Sequence, residues 1–246
     1  MKETSWQKVH RWYDEAVGEE GHYYHRQIVL PGVLRLLQLK AGDRLLDAAC
    51  GQGVLSRQLP QGVNYVGFDA SSSLIQAAKK HNHNTHYQFL TADATQPLKF
   101  PARFSHAAII LALQNIREPQ KALQHVAEQL LPQGKLVIVL NHPSFRIPRQ
   151  SSWGEDVSKK IQYRRIDRYM TPLEIPIQTH PGKGGEETLS FHHPLASYIQ
   201  WLQQAGCHLV GMEEWCSDKT STGDKARQEN RARAEFPLFL ALIAER

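Results

Sequence analysis

Residues 45–55 read Leu-Leu-Asp-Ala-Ala-Cys-Gly-Gln-Gly-Val-Leu, and few folds accommodate that order. A short apolar run stops at a carboxylate, passes through small residues and meets two glycines. The pattern predicts a buried parallel strand over 44–48, a tight turn, and a helix from about Gly53 to Leu59. Glycine lets a backbone approach a ligand closely, and a helix start offers free N–H groups. The next apolar run, Val63 to Phe68, ends at Asp69, 22 positions after Asp47. An acid about 20 residues beyond a glycine turn is the spacing at which a second strand meets a ribose.

Two nucleotide readings compete for this turn. A dinucleotide site wants G-x-G-x-x-G, whereas this chain has Ser56 in the third glycine's place. Asp47 weighs more heavily. A carboxylate at the mouth of the turn repels a pyrophosphate and suits a cationic ligand instead. S-adenosylmethionine carries a sulfonium, an ammonium and a ribose, and no phosphate. At Asp47-Ala48-Ala49-Cys50-Gly51-Gln52-Gly53 the sequence resembles the class I S-adenosylmethionine-dependent methyltransferases, of the type 11-like kind. The usual first glycine of that motif is Ala49 here, a departure that asks Ala49 for a negative φ.

The resemblance implies roles for residues at successive strand ends. Ala49, Cys50, Gly51 and Gly53 form the cofactor turn with Asp47. Asp69 accepts from both ribose hydroxyls, which its two oxygens permit, and Ala70 follows it. The bland alternative for Asp69 is a helix cap before the serine-rich stretch 71–73. His86 to Leu90 alternates as a third strand and runs into Asp93. There the family binds adenine, with the Asp93 carboxylate accepting from the amino group and the Ala94 N–H donating to a ring nitrogen. Phe104 to Leu111 is the fourth strand, and Ile109 and Leu111 mark the end that the family sets against the methyl donor. No Asn-Pro-Pro-aromatic tetrad follows it, and no carboxylate for Mg²⁺. The resemblance therefore points away from amide or adenine nitrogen acceptors and from metal dependence.

A helix over 118–131, a Pro132-Gln133-Gly134 turn and a fifth strand over 135–140 complete the match. Before it, residues 1–27 carry aromatics that serve either as core anchors or as a flap over the methionine end. Tyr13 and Tyr24 are the candidates for contact. Residues 143–190 are rich in Pro, Arg and aromatics, with Phe145, Arg146, Trp153, Arg164, Arg165 and Arg168 among them. They read as a loop-rich cap at the carboxyl ends of the strands, where open α/β sheets bind ligands. Arg164, Arg165 and Arg168 suit either an anionic substrate or a solvated basic face. A helix from Leu195 to Ala205, a strand from His208 to Trp215 and a last strand from Phe236 to Ala244 follow a polar interlude at 216–235.

Composition sets outer bounds. A net charge of +5 over 246 residues permits an anionic partner without requiring one. Cys50, Cys207 and Cys216 are an odd set without metal-ligand spacing, which fits a reducing cytoplasm, and no apolar run is long enough for a membrane span. Cys50 reads as a small filler, because no base for a nucleophile is identifiable. The expected fold is a single α/β domain. It has a Rossmann-like seven-stranded mixed sheet with helices on both faces, the last strand antiparallel, plus the cap insertion. The expected activity is methyl transfer from S-adenosylmethionine, without a metal, to a small-molecule O, N or C nucleophile. An RNA or protein acceptor, and a non-catalytic binding platform, are the alternatives. His142, just past the fifth strand, is the candidate base if the acceptor is a protonated oxygen.

Overall fold

The computed structural model describes residues 7, 18, 21–178 and 187–246. Its centre is a seven-stranded sheet. The strands are β1 (Arg44–Ala48), β2 (Asn64–Asp69), β3 (Gln88–Thr91), β4 (Phe104–Ile110), β5 (Leu130–Asn141), β10 (His208–Trp215) and β11 (Phe239–Glu245). They lie in the order β10-β11-β5-β4-β1-β2-β3. β1 to β5 are parallel, and β11 runs antiparallel to both β5 and β10. The mixed sheet with an antiparallel last strand matches the expectation.

Period-two alternation assigns each strand's residues to two cores. Leu46, Ala48, Ala107, Ile109, Ile138 and Leu140 face one side. The helices α3 (Pro119–Glu128) and α4 (Leu195–Gln204) cover them through Ala122, Leu123, Tyr198 and Leu202. Leu45, Tyr65, Ala108, Val137 and Val139 face the other side. There α1 (Leu30–Leu37) and α2 (Ser72–His81) pack with Val33, Leu37, Ile75 and Ala78. Strands buried on both faces explain why these runs read as continuously apolar. Pro31 sits in the first turn of α1, where its missing N–H has no partner to lose. A π-helical turn, His25–Val29, precedes it.

Three expectations are corrected. No α-helix follows Gly53. Gly51 and Gly53 take φ of 55° and 74°, and the chain then makes only the 3-10 turn Leu55–Gln58. β5 begins at Leu130, not 135, and absorbs the Pro132-Gln133-Gly134 turn. Its register with β4 shifts between Phe104 and His106, and Gln133 takes φ 62°. Residues 143–192 are not mainly loop. They form the hairpins β6 (Ser151–Asp156) with β7 (Ile161–Ile166) and β8 (Leu173–Gln178) with β9 (Glu187–His192). A final helix, α5 (Ala226–Glu235), packs on β7.

Register brings the strand ends together. Asp47 pairs with Gly67 and Asp69 with Thr91. The Phe68 carbonyl accepts from the Cys50 N–H at 3.0 Å, and the Asp69 carbonyl from the Ala92 N–H at 3.0 Å. Asp47 near the end of β1, Asp69 at the end of β2 and Asp93 two residues past β3 thus follow one another along the carboxyl ends of adjacent parallel strands.

Candidate active site

Asp47 is the penultimate residue of β1, and alternation turns its side chain to the face that carries Tyr65. The Tyr65 hydroxyl donates to Asp47 Oδ2 at 2.8 Å. Gly67 makes room for it, because a Cβ there would lie 2.5 Å from the Tyr65 hydroxyl. Asp47 is therefore not an open carboxylate at the mouth of the turn, and only 2% of it is exposed. Burial pushes its carboxyl up to about 7; the Tyr65 bond opposes the rise and the nearby Asp69 adds to it. Tyr65 escaped the sequence reading, although a Tyr-x-Gly step on a strand beside an acid-bearing strand was its signal.

Asp69 ends β2 and holds two pieces of backbone. Its Oδ2 accepts from the Gly51 N–H at 3.0 Å and its Oδ1 from the Ser71 N–H at 2.8 Å. Burial raises its pKa, and these two bonds oppose the rise. Each oxygen retains a further lone pair, so Asp69 can clamp the turn and still accept from two more donors. The Ser71 hydroxyl, not Asp69, caps α2 by accepting from the Leu74 N–H at 3.3 Å. Gln7 Oε1 accepts from Ser71 Oγ at 2.8 Å, and Gln7 Nε2 donates to Ser73 Oγ at 2.8 Å. Gln52 Nε2 donates to the Gly18 carbonyl at 3.1 Å. Gln7 is thus held at the start of α2, and Gly18 beside the glycine turn.

The turn itself departs from expectation. Ala49 has φ 55°, in the left-handed region that disfavours a Cβ, and not the negative φ that its departure from glycine asked for. Leu111, just past β4, has φ 51°. Its N–H donates to the Val139 carbonyl at 2.7 Å, and its own carbonyl accepts from Gln114 Nε2 at 2.8 Å and Asn115 Nδ2 at 3.2 Å. Two strained residues therefore sit at the ends of neighbouring strands, where strain is commonly kept for ligand contact. Gln52 Oε1 and Gln114 Oε1 are buried without a partner among the described residues. Neither glutamine was singled out in the sequence.

The remaining predicted residues fall as follows. Ala70 is half-buried between Asp69 and Ser71. Asp93 Oδ1 accepts from the Thr95 N–H at 2.9 Å and hydroxyl at 2.8 Å, and Ala94 is buried beside it. Ile109 is buried under α3 and α4, so only its backbone is available at the strand end. The Cys50 thiol is pushed well up by burial and by Asp47 and Asp69, which keeps it un-ionised, as a filler requires. Tyr24 packs edge-on against Phe239, with its hydroxyl 3.2 Å from Ser217 Oγ. Tyr13 lies outside the described residues.

His142 is 2% exposed, and both of its ring nitrogens are occupied. Nδ1 accepts from the Ser144 N–H at 3.1 Å, which leaves the proton on Nε2 to meet Glu214 Oε1 at 2.7 Å. Burial lowers its pKa and Glu214 opposes that. With no free lone pair, it is not disposed as a general base. The structure corrects its candidacy to a strut between β5 and β10.

A cavity lies beyond β5 and beside the β6–β7 hairpin, not at Asp69. It measures about 430 Å³ and is walled by Phe145, Trp153 and Phe236, with Arg146, Arg164 and Asn141 at its polar side. Among the described residues, no group of three or more His, Cys, Asp or Glu is disposed to hold a metal ion. No described helix is long and apolar enough to cross a membrane.

Comparison with known proteins bears on this geometry. A family described as a methyltransferase domain matches residues 21–211. Demethylmenaquinone methyltransferase of Renibacterium salmoninarum is 32% identical over 106 residues, 42% of this chain and 44% of that one. A ubiquinone biosynthesis O-methyltransferase of Coxiella burnetii is 28% identical over 179 residues, 69% of this chain and 65% of that one. The chain thus spans about half to two thirds of the length of these curated relatives. A solved S-adenosylmethionine-dependent methyltransferase from Mesorhizobium loti superposes with a TM-score of 0.69 at 25% identity, over 93% of this chain and 100% of that one. Another from Clostridium acetobutylicum has a TM-score of 0.62 at 15% identity, over 98% of each chain, and shares the fold.

Proposed function

The chain belongs to the methyltransferase domain family, and from that premise we propose that it transfers the methyl group of S-adenosylmethionine to a small-molecule acceptor. The observation that carries the reading is Asp69. Its oxygens are fixed by the Gly51 and Ser71 amides, with acceptor capacity left for a vicinal diol. The donor set fits the cofactor in kind, being carboxylates and unpaired carbonyl oxygens of glutamine, suited to cations and hydroxyls and not to phosphates.

In this reading Asp69 holds the ribose, and Asp93 with the Ala94 amide holds the adenine. Asp47 faces positive charge. Ala49, Cys50, Gly51, Gly53 and Ala70 supply the surrounding backbone, and Ile109 and Leu111 line the methyl-donor end. Tyr13 and Tyr24 close the methionine side, with Gln7 tying the preceding segment to the start of α2 and Gly18 tying it to the turn. When bound, S-adenosylmethionine supplies a methyl group on a sulfonium, a leaving group that departs as a neutral thioether. The chain's own task is to align the nucleophile and exclude water, and positioning of that kind is worth up to roughly 7–11 kcal/mol. No side chain is assigned the acceptor's proton, since His142 is already engaged.

A small acceptor is favoured by the cavity beside the β6–β7 hairpin, whose volume lies in the range of small-molecule sites. Two arginines of this stretch, Arg164 and Arg165, bond within the protein and do not form a wholly solvated basic face. Arg165 Nε bonds Asp167 Oδ1 at 2.6 Å, and Arg164 bonds the Phe145 carbonyl and Ser151 Oγ, each at 2.7 Å. Both named relatives are methyltransferases of quinone biosynthesis, consistent with an organic acceptor. Calorimetry with S-adenosylmethionine tests the core of the reading. Asp69→Ala should weaken binding by a few kcal/mol, since bonds to a charged group are worth about 1.5–3 kcal/mol each. An unchanged dissociation constant refutes the ribose role, and wild-type protein that fails to bind at millimolar cofactor refutes the activity.

A further inference from the structure

Arg146 is a cation without a counterion among the described residues. It follows β5, and its backbone N–H donates to the His142 carbonyl at 2.8 Å. Its guanidinium makes no hydrogen bond or ion pair among the described residues. It stands in the wall of the 430 Å³ cavity and also in that of a second, smaller cavity of about 30 Å³, lined in part by Gln114, His192 and Tyr198. Asn141 and Pro148 line both, so Arg146 stands at their junction.

Arg164 joins it from β7. Its Nε donates to the Phe145 carbonyl and one terminal nitrogen to Ser151 Oγ, which fixes the plane of the guanidinium and leaves the other terminal nitrogen unbonded. The same guanidinium lies 5.2 Å from the centre of the Trp153 ring. Burial lowers the pKa of both arginines, and Arg146 lowers that of Arg164 further, so the two positive charges feel each other. No acidic side chain lines either cavity among the described residues. Arg146 is exposed and Arg164 partly exposed, so their unbonded N–H groups are open to an incoming anion, and guanidinium is weakly hydrated enough to give up water for one. Two guanidiniums on one cavity wall, with no carboxylate among the described residues beside them, offer a place for an anion.

The rest of the cavity describes what carries that anion. Phe145 and Trp153 each meet the Phe236 ring edge-on, at 5.6 Å and 5.5 Å. They form an aromatic wall beside the arginine pair. Guanidinium matches a carboxylate in two-point geometry, and aromatic walls take a flat ring. Asn141 ties the cavity to the methyl-donor end. It closes β5, and the Val139 carbonyl two residues earlier accepts from Leu111. Gln114, in the smaller cavity, bonds the Leu111 carbonyl.

We propose that the cavity beside the β6–β7 hairpin binds the methyl acceptor as an aromatic carboxylic acid, its carboxylate held by Arg146 and Arg164 and its ring set against Phe145, Trp153 and Phe236. This deepens the methyltransferase reading and rests on it for the word acceptor; the anion site itself does not.

The test uses the full chain saturated with S-adenosylhomocysteine. Calorimetry is run with trans-cinnamate, phenylacetate and indole-3-acetate, each against its uncharged amide, and with inorganic phosphate. At least one acid should bind tenfold or more tighter than its amide, and Arg146→Met should abolish that preference while leaving S-adenosylhomocysteine affinity unchanged. Arg164→Met should weaken the same acid at least tenfold. Thermal melting of the ligand-free protein supplies a second readout. Removing a solvent-open arginine that has no partner leaves the midpoint within about 2 °C, whereas breaking a hidden ion pair lowers it further. A midpoint lowered beyond that for Arg146→Met overturns the proposal, because the chain then already neutralises this arginine. No acid binding at 10 mM overturns it too, as do equal affinities for acid and amide, or arginine-dependent phosphate binding tighter than every acid. Should the product nucleoside fail to bind while the acids still bind through Arg146, the methyltransferase reading falls and the anion site stands.

Discussion

Asp47→Asn should make the ligand-free protein more stable, and by an amount that depends on pH. Asp47 is almost wholly buried, and the Tyr65 hydroxyl that bonds it does not offset the lost hydration, so its carboxyl is raised from 3.8 to about 7. The folded chain therefore holds this proton more tightly than the unfolded chain. Below pH 4 both states carry it and the group is neutral to stability. Between pH 4 and 7 the unfolded chain releases it first, so stability falls as pH rises, and above pH 7 the full penalty stands. A rise from 3.8 to about 7 is worth about 4 kcal/mol at roughly 1.4 kcal/mol per tenfold. Asparagine keeps an oxygen for Tyr65 and carries no charge. Urea unfolding of both proteins at pH 4, 6 and 8 should show the variant's advantage growing from near zero to about 4 kcal/mol. Parallel curves, with a difference constant within about 1 kcal/mol, would refute the burial account. The same substitution should weaken S-adenosylmethionine binding, because the ionised carboxylate waits for a cationic partner. Wild-type affinity should accordingly fall as pH drops below 7.

Three further outcomes are expected. Ala49→Gly relieves a left-handed alanine and should stabilise the chain by about 0.5–1 kcal/mol by chemical denaturation, after the entropy that glycine loses. Gly67→Ala puts a Cβ 2.5 Å from the Tyr65 hydroxyl, displaces it from Asp47 and should cost about 1–3 kcal/mol; a lost isotope-edited signature of the Tyr65–Asp47 bond would accompany it. His25, whose pKa burial lowers to about 4, resists the charge that the unfolded chain accepts near 6.5. Charging it in the folded chain costs up to about 3 kcal/mol, a penalty absent above pH 6.5 and complete below pH 4, so His25→Phe should flatten that limb of the stability profile.

The legible part of this chain was its sheet. Strands buried on both faces leave uninterrupted apolar runs, and an acid ending each of the first two is visible without a structure. What escaped depended on contacts remote in sequence. Whether Asp47 opens to solvent or lies under a phenol is decided by Tyr65 on the neighbouring strand and by the gap that Gly67 leaves for it. The sign of φ at Ala49 follows from the return of the chain to β2, where the Cys50 N–H meets the Phe68 carbonyl. The hairpins of 143–192 hid because their strands are half-exposed on both sides, so neither clean alternation nor an apolar run marks them. Arg146 looked like one basic residue among several. Only the cavity distinguishes it from Arg165, which bonds its near neighbour Asp167 in the open.

β11 lies late in the sequence yet sits inside the sheet, hydrogen-bonded to β5 on one flank and β10 on the other. A ribosome delivers β5 and β10 well before residues 239–245 emerge. Until then both carry unsatisfied edges, open to pairing with other nascent chains. Completion of the sheet thus waits on β11, and loss of residues 239–245 would cut β10 off from the other five strands.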